Sequence, residues 1–216
     1  MITKLWRVPV AAAVGYLAGT VPSADIATRL ALTPRSRSGD EADGSTGERV
    51  TDLRQAGSGN PGATNAAAVL GRRWGLAVLV ADIGKGALAG AVGRSLAGPA
   101  GAYAAATSAV AGHIVPVWNG GRGGKGVATS AGACLAVFPA YFPADAAVAA
   151  VGAIASRNAE RAMQLSSVAW VAAGVLWWRR RLPNAWGPEP TVGLPLFALL
   201  SSVMILAKFR AARRPA

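Results

Sequence analysis

Long apolar stretches separated by short charged segments occupy most of this chain. Seven stretches carry few ionisable residues or none, and they cover 8–32, 74–93, 96–118, 126–144, 146–155, 162–178 and 191–207. A helix needs about 20 apolar residues to cross a bilayer, so the pattern predicts an all-α, polytopic membrane bundle of about seven spans. The fifth stretch is short, so a re-entrant segment remains an alternative to a full crossing there. Pro99 lies near the start of the third stretch and predicts the turn of a helical hairpin formed with the second stretch.

A long polar segment, 33–71, separates the first predicted span from the second. Its first part, 33–50, has the composition of a flexible insertion, because charged, glycine-rich sequence cannot bury a core. The N-terminal stretch also resembles a signal peptide, although Pro22 and Ala24 make a poor cleavage site. We therefore expect 1–216 to form a single membrane domain with a flexible insertion at 33–50.

Composition agrees with the membrane prediction. Hydrophobic residues make up 52% of the chain and charged residues 15%, whereas soluble domains carry about 25% charged residues. An ordinary water-soluble enzyme is therefore disfavoured. The single cysteine, Cys134, cannot form an internal disulfide, which also disfavours a disulfide-stabilised secreted protein.

The net charge of +12 would suit a nucleic-acid-binding protein if the basic residues were clustered. They lie instead mostly between apolar stretches. With the N-terminus outside, sixteen of the 22 basic residues fall on the cytoplasmic side, as the positive-inside rule requires, although Arg179, Arg180 and Arg181 violate it. The partners we expect are membrane lipid and small anions, with no nucleic acid; the sequence does not specify an oligomeric state.

The first glycine-rich loop reads G-S-G-N-P-G-A-T-N over 57–65. It contains G-x-G-x-x-G, but no βαβ unit surrounds it, so a dinucleotide site is disfavoured. Small consecutive residues can turn their backbone N–H groups toward an anion, which predicts a phosphate-binding nest with added side-chain donors. A plain glycine turn between helices remains the alternative. The residues of the nest are Gly57, Ser58, Gly59, Asn60, Gly62, Thr64 and Asn65.

The second glycine-rich loop reads N-G-G-R-G-G-K-G over 119–126 and directly precedes an uncharged helix. A Walker loop is excluded, since Asn119 replaces its first glycine and Gly126 stands where Ser or Thr should bind magnesium. Glycines 123, 124 and 126 still allow close backbone approach to a phosphate, and Lys125 provides a positive charge beside a helix N-terminus. A lysine that only anchors the loop at the membrane surface is the alternative.

Three ionisable residues lie inside or at the end of predicted spans. Asp82 and Lys85 are three apart and share a helical face, and such intramembrane charges are functional candidates unless the lysine reaches the surface. His113 is the only histidine and precedes the second loop, so it is either a structural residue or a proton-transfer group. Scattered carboxylates, one histidine and one cysteine give no metal-ligand spacing, so no metal is predicted.

These segments together resemble the bacterial glycerol-3-phosphate acyltransferases that use acyl phosphate as donor. The similarity rests on Asp52-Leu53-Arg54 through Asn65, on 82–86, and on Gly112-His113 through Thr129. It implies an all-helical enzyme of the bacterial inner membrane with its active site at the cytoplasmic face and no cofactor. It also implies acyl transfer from acyl phosphate to the 1-hydroxyl of glycerol 3-phosphate, giving lysophosphatidate and inorganic phosphate.

Under this resemblance both glycine-rich loops are expected at one membrane surface, holding two phosphates. Ser58, Asn60, His113 and Lys125 are the candidate catalytic residues. Ser58, Gly59, Asn60 and Lys125 are assigned to the donor phosphate and oxyanion, and His113 to shaping the site or moving a proton. Substrate binding is assigned to Gly57, Gly59, Gly62, Thr64, Asn65, Arg72, Lys85, Gly123, Gly124 and Gly126.

Several positions depart from the family pattern. Ala68 replaces an arginine, for which Arg72 or Arg73 one helical turn on is expected to compensate, and Gln164 replaces a serine. The C-terminal basic motif with its asparagine is also missing, which leaves only Lys208, Arg210, Arg213 and Arg214. Because of these departures, the alternative is a non-catalytic relative that binds phospholipid precursors or a partner enzyme. A small transporter of phosphorylated solutes is a further alternative, and it would predict inverted internal repeats, which the sequence does not show.

Overall fold

The computed structural model of the protein describes residues 6–32 and 51–212, and this part of the chain contains helices without strands. The all-helical membrane prediction is therefore confirmed. The proposed insertion at 33–50 lies outside the described residues. A short 3-10 turn covers Val117–Asn119, and the α-helices are α1 (Arg7–Gly19), α2 (Ser23–Leu32), α3 (Ala63–Leu70), α4 (Arg72–Ile114), α5 (Val127–Val137), α6 (Phe142–Ser156), α7 (Ala159–Arg180) and α8 (Gly193–Ala211).

The chain forms two compact units. One comprises Met1–Val21 together with Asp82–Ala216, and the other comprises Pro22–Ala81. The first unit contains α1, most of α4 and α5 to α8; the second contains α2, α3 and the start of α4. The expectation of a single domain over 1–216 stays a prediction.

Within residues 6–32 and 51–212, three helical stretches are long and apolar enough to cross a membrane: Arg7–Leu32, Arg72–Asn119 and Gly193–Ala211. Within the second, Ala97 and Gly98 leave helical geometry immediately before Pro99, so α4 contains the predicted hairpin. Glycines let its two arms approach closely, since a Cβ on Gly93 would overlap the backbone of Gly101. The predicted turn at Pro99 is confirmed.

Two predicted spans differ in the structure. The stretch 8–32 is divided between α1 and α2, and the stretch 126–144 is divided between α5 and α6. α5 has 11 residues and α6 has 15. At 1.5 Å per residue they extend about 16 and 22 Å, less than the roughly 30 Å of a hydrocarbon core. The prediction that 126–144 forms one spanning helix is wrong.

Among the described residues of the first unit, two apolar clusters hold the helices in place. The larger joins α4, α5, α7 and α8 around Phe138, Trp170 and Phe197. The smaller lies where α4 and α8 both end, and its buried members are Val110, Ile114, Ile205 and Phe209. This second cluster lies beneath the second glycine-rich loop, so it supports the residues described next.

Candidate active site

A buried charged cluster lies within the first unit, on the two arms of α4. Asp82 is 2% exposed and Lys85 is 8% exposed, and Lys85 Nζ lies 2.8 Å from Asp82 Oδ1. His113 is 9% exposed and comes from the other arm, with its Nδ1 3.6 Å from the same carboxylate oxygen. Asp82 thus connects two residues that the sequence made candidates.

The cluster also involves the end of α1. Lys85 Nζ donates a hydrogen bond to the carbonyl oxygen of Val21 at 3.0 Å. α1 packs tightly against the second arm of α4, because a Cβ on Gly15 or Gly19 would overlap the backbone of that arm. The alternative that Lys85 only reaches the membrane surface is therefore not supported.

The second glycine-rich loop folds back over the end of α4. The backbone N–H of Gly123 donates to the carbonyl oxygen of Ile114 at 3.2 Å, and a Cβ on Gly123 would overlap the carbonyl oxygen of His113. Gly124 is buried. Gly126 has φ of +85° and lies at the N-cap of α5, a conformation that favours glycine. The structure thus brings His113 and the second loop together.

Lys125 is half-buried in this loop, and its ammonium lies over an aromatic ring of α8. Lys125 Nζ is 4.3 Å from the centroid of the Phe209 ring. Phe209 is not among the residues predicted for the site. Its only signal in the sequence is a position between two basic residues, Lys208 and Arg210, near the end of an apolar stretch.

In the second unit, Asn65 organises the first glycine-rich loop. Its side-chain Nδ2 donates to the carbonyl oxygens of Leu53 at 2.9 Å and Ala56 at 3.0 Å, and its Oδ1 accepts the backbone N–H of Ser58 at 2.8 Å. Asn65 is buried, with 3% exposure. Because both amide hydrogens are engaged, its geometry suits a role in holding the loop better than the predicted contact with substrate.

Three backbone N–H groups of the predicted anion nest are hydrogen-bonded within the loop instead of pointing toward an anion. Besides the Ser58 N–H, the N–H of Gly59 donates to the Ala56 carbonyl oxygen at 3.0 Å, and that of Gly62 donates to the Asn60 carbonyl oxygen at 2.8 Å. These three N–H groups serve the loop itself. Gly57 and Gly59, with φ of +58° and +69°, make the tight turns that this arrangement requires.

The remaining candidates of the second unit lie around α3 and the start of α4. Ser58 and Thr64 are exposed, and the half-buried Asn60 has its amide nitrogen next to Gly62, the N-cap of α3. Arg72 is exposed and begins α4. Gly71, with φ of +96°, separates the two helices, so the expectation that Arg72 lies one helical turn beyond Ala68 is wrong.

Arg54 is a further residue that the sequence analysis did not assign to the site. Its guanidinium binds both oxygens of Asp25 on α2, at 2.7 and 3.3 Å, and Asp52 at 3.0 Å. Burial alone would lower the pKa of Arg54, but hydrogen bonds and charge from Asp25 and Asp52 outweigh it and raise that pKa. The pairing fixes the chain immediately before the first loop.

Comparison with known proteins supports the same family. The family model of glycerol-3-phosphate acyltransferases matches residues 9–214. A glycerol-3-phosphate acyltransferase from one Cereibacter sphaeroides strain is 36% identical over 186 residues, covering 86% of this chain and 77% of that protein. One from Nitrobacter winogradskyi is 34% identical over 195 residues, covering 90% and 83%.

Two solved structures share the fold. Both are of PlsY, an integral membrane glycerol 3-phosphate acyltransferase. The glycerol 3-phosphate form has a TM-score of 0.70 and 25% identity, covering 97% of this chain and 89% of that one. The lysophosphatidic acid form has a TM-score of 0.69 and 23% identity, covering 94% and 88%. This chain therefore belongs to the glycerol-3-phosphate acyltransferase family.

Proposed function

We propose that this protein transfers a fatty acyl group from acyl phosphate to the 1-hydroxyl of glycerol 3-phosphate, at the cytoplasmic face of a bacterial inner membrane. Family membership supports glycerol 3-phosphate as the acceptor. The similar PlsY structures include a glycerol 3-phosphate form and a lysophosphatidic acid form, which are consistent with this acceptor and product.

The observation that carries the proposal is the contact between His113 and the second glycine-rich loop. Gly123 packs against the His113 carbonyl oxygen, and Lys125 lies two residues further along the same loop. A proton-transfer group, a cation and a close-approaching backbone therefore occur together at the end of α4. This combination suits an anionic acyl donor, since a phosphate needs positive charge and glycine allows backbone N–H groups near it.

The reaction needs no enzyme nucleophile. The 1-hydroxyl oxygen of glycerol 3-phosphate attacks the acyl carbonyl carbon and forms the ester bond, and the carbon–oxygen bond to phosphate breaks, so phosphate leaves with the electron pair. The hydroxyl proton passes to His113 or to a phosphate oxygen. Orientation and stabilisation of the developing oxyanion then supply most of the catalysis.

The environment of Cys134 supports the absence of a covalent thioester intermediate. Cys134 is the single cysteine of the chain, it is fully buried, and its thiol contacts the Phe138 carbonyl oxygen at 3.7 Å. A thiol nucleophile requires access and an environment that favours the thiolate. Direct transfer between the two substrates is therefore the mechanism we propose.

Each remaining candidate takes a role consistent with its place in its own unit. Lys85, Gly124 and Gly126 shape the first unit's part of the site, and Lys125 binds the donor phosphate. In the second unit, Asn65 positions Ser58, and Thr64 and Asn60 bind phosphate near the N-terminus of α3. The exposed Arg72, at the start of α4 and beyond the other end of α3, also binds phosphate. That both loops serve one pair of substrates stays a prediction.

Purified protein in liposomes, labelled glycerol 3-phosphate, and either acyl phosphate or acyl coenzyme A test the proposal. We expect turnover with acyl phosphate only. Lys125→Ala should lower the rate by about 100-fold or more, as loss of a group that stabilises charge in the transition state does. Arg180→Ala, which removes one exposed positive charge at the end of α7, is the matched control and should keep the parent rate.

Other outcomes distinguish the alternatives. Binding of glycerol 3-phosphate without turnover with either donor would identify a non-catalytic relative. The exposed Ala68 is the observation that favours this alternative, since the family usually has an arginine at that position. Turnover with acyl coenzyme A alone would overturn the proposed donor. Uptake of glycerol 3-phosphate into sealed vesicles without acylation would identify a transporter.

A further inference from the structure

Lys125 has little support from its own loop. Its chain neighbours Gly123, Gly124 and Gly126 carry no side chains, so they cannot pack against the four-carbon stem of the lysine. A lysine stem is flexible, and fixing it costs conformational entropy. The ring of Phe209, 4.3 Å from Lys125 Nζ, provides a surface at which the ammonium can be held.

The ring and the loop rest on the same apolar cluster. Phe209 is 8% exposed and packs with Val110, Ile114 and Ile205. A Cβ on Gly126 would lie 2.9 Å from Ile114 Cδ1 and 3.3 Å from Val110 Cγ1, so the loop is seated directly on this cluster. The same cluster therefore holds both Phe209 of α8 and Gly126, the residue that follows Lys125.

We infer that Phe209 is a positioning residue that holds the Lys125 ammonium for phosphate through a cation–π interaction. This inference rests on the proposed function, in which Lys125 binds the donor phosphate. The ring face attracts the ammonium electrostatically and leaves it fully charged, and the ring covers only one side of the ammonium. Because an ammonium has three N–H donors, those directed away from the ring remain available to phosphate oxygens.

The strength of the contact should be near the upper end for such pairs, because Lys125 is half-buried and Phe209 is buried. Losing it should raise the KM for acyl phosphate by about five- to tenfold and should also lower the turnover number, because Lys125 stabilises charge in the transition state as well. A purely structural role for Phe209 would instead lower the amount of folded enzyme and leave the KM of the remainder unchanged.

The first experiment is a spectroscopic one that does not require turnover. The chain has four lysines, at 4, 85, 125 and 208. Reductive methylation with ¹³C-formaldehyde labels their amines and keeps their charge, and Lys125→Arg identifies the Lys125 signal. Methyl protons held above a ring face resonate upfield, so we expect an upfield Lys125 signal that returns to the ordinary position in Phe209→Leu.

The second experiment varies the ring without changing its packing. Phenylalanine with one, two or three fluorines is incorporated at 209, because fluorine weakens the negative ring face while nearly preserving the ring's shape. We expect the KM for acyl phosphate to rise stepwise with the number of fluorines. The same series at Phe197, which is buried in the other cluster against Trp170, is the matched control and should leave the KM unchanged.

The outcomes separate this inference from the proposed function. An ordinary Lys125 methyl shift in the parent protein, or a KM that does not change across the fluorinated series, would overturn the role of Phe209 and leave the proposed function intact. If the parent shows no transfer from acyl phosphate, the proposed function fails. The upfield Lys125 signal would then still report whether Phe209 holds the lysine.

Discussion

Replacing Asp82 with asparagine should destabilise the protein by about 3 kcal/mol. Removing one partner of a buried ion pair costs about 3–5 kcal/mol, because the other charge is left uncompensated. Asp82 and Lys85 are 2% and 8% exposed and 2.8 Å apart, so they meet this condition. We take the lower end of the range because Lys85 retains its hydrogen bond to the Val21 carbonyl oxygen.

The matched comparison is the double variant Asp82→Leu with Lys85→Met. Replacing a whole buried pair with apolar residues of similar volume is often neutral or stabilising. We therefore expect the double variant to unfold within about 1 kcal/mol of the parent, whereas Lys85→Met alone should cost about as much as Asp82→Asn. Unfolding of the protein in mixed micelles with increasing dodecyl sulfate measures all four free energies.

The double variant also separates stability from activity. If Lys85 contributes to substrate binding, the double variant should stay folded and lose acyl transfer. Two results would refute the reasoning about the cluster. One is an Asp82→Asn variant within about 0.5 kcal/mol of the parent, and the other is a double variant that is no more stable than Lys85→Met alone.

Two further substitutions test the two loops. Asn65→Ala removes three hydrogen bonds and should lower the unfolding free energy by about 2–4 kcal/mol. Asn65→Asp should cost at least as much, because its second carboxylate oxygen cannot donate to the Leu53 and Ala56 carbonyl oxygens; parent-like thermal unfolding of either variant would contradict this assignment. Gly123→Ala should displace the second loop from His113 and abolish acyl transfer. Gly84→Ala in α4 meets nothing within 4 Å and should leave transfer unchanged, so parent-level activity of Gly123→Ala in the same assay would count against the contact.

The helices that could be predicted are those whose ends are marked by charge or by a single proline. Arg179 and Arg180 close the apolar stretch of α7, and Pro99 marks the hairpin of α4. In both cases the change from apolar to polar residues, or the loss of a backbone N–H at proline, acts locally. The corresponding predictions therefore agree with the structure apart from the terminal residues.

The division of 126–144 was missed because hydropathy does not change at the turn. Residues 138–141 are as apolar as the helices on either side, so no polar segment marks the break. The available signal was proline: Pro139 follows the end of α5, and Pro143 lies in the first turn of α6, where proline is tolerated. In an apolar stretch, two prolines four residues apart indicate a turn. This evidence should outweigh the absence of charged residues, which alone suggests one continuous span.

The break between α1 and α2 depends on contacts that the local sequence does not contain. Thr20 Oγ1 donates to the Leu17 carbonyl oxygen at 2.7 Å and accepts from Trp118 Nε1 at 2.9 Å. The tryptophan comes from 98 residues further along the chain. Pro22 gives a weak local signal, but the position of the break is fixed by a distant partner and could not be predicted from residues 8–32 alone.

The pairing of Asp82 with His113 could have been found from the hairpin. Asp82 lies sixteen residues before Gly98 and His113 lies fifteen after it. In an antiparallel hairpin, residues at nearly equal distances from the turn lie side by side, so a turn placed at Pro99 would have predicted that the two meet. At 1.5 Å per residue they lie about 24 Å from it, most of the way across a core of roughly 30 Å. The surrounding helices leave Asp82 only 2% exposed, while the backbone of His113 directly adjoins the second loop.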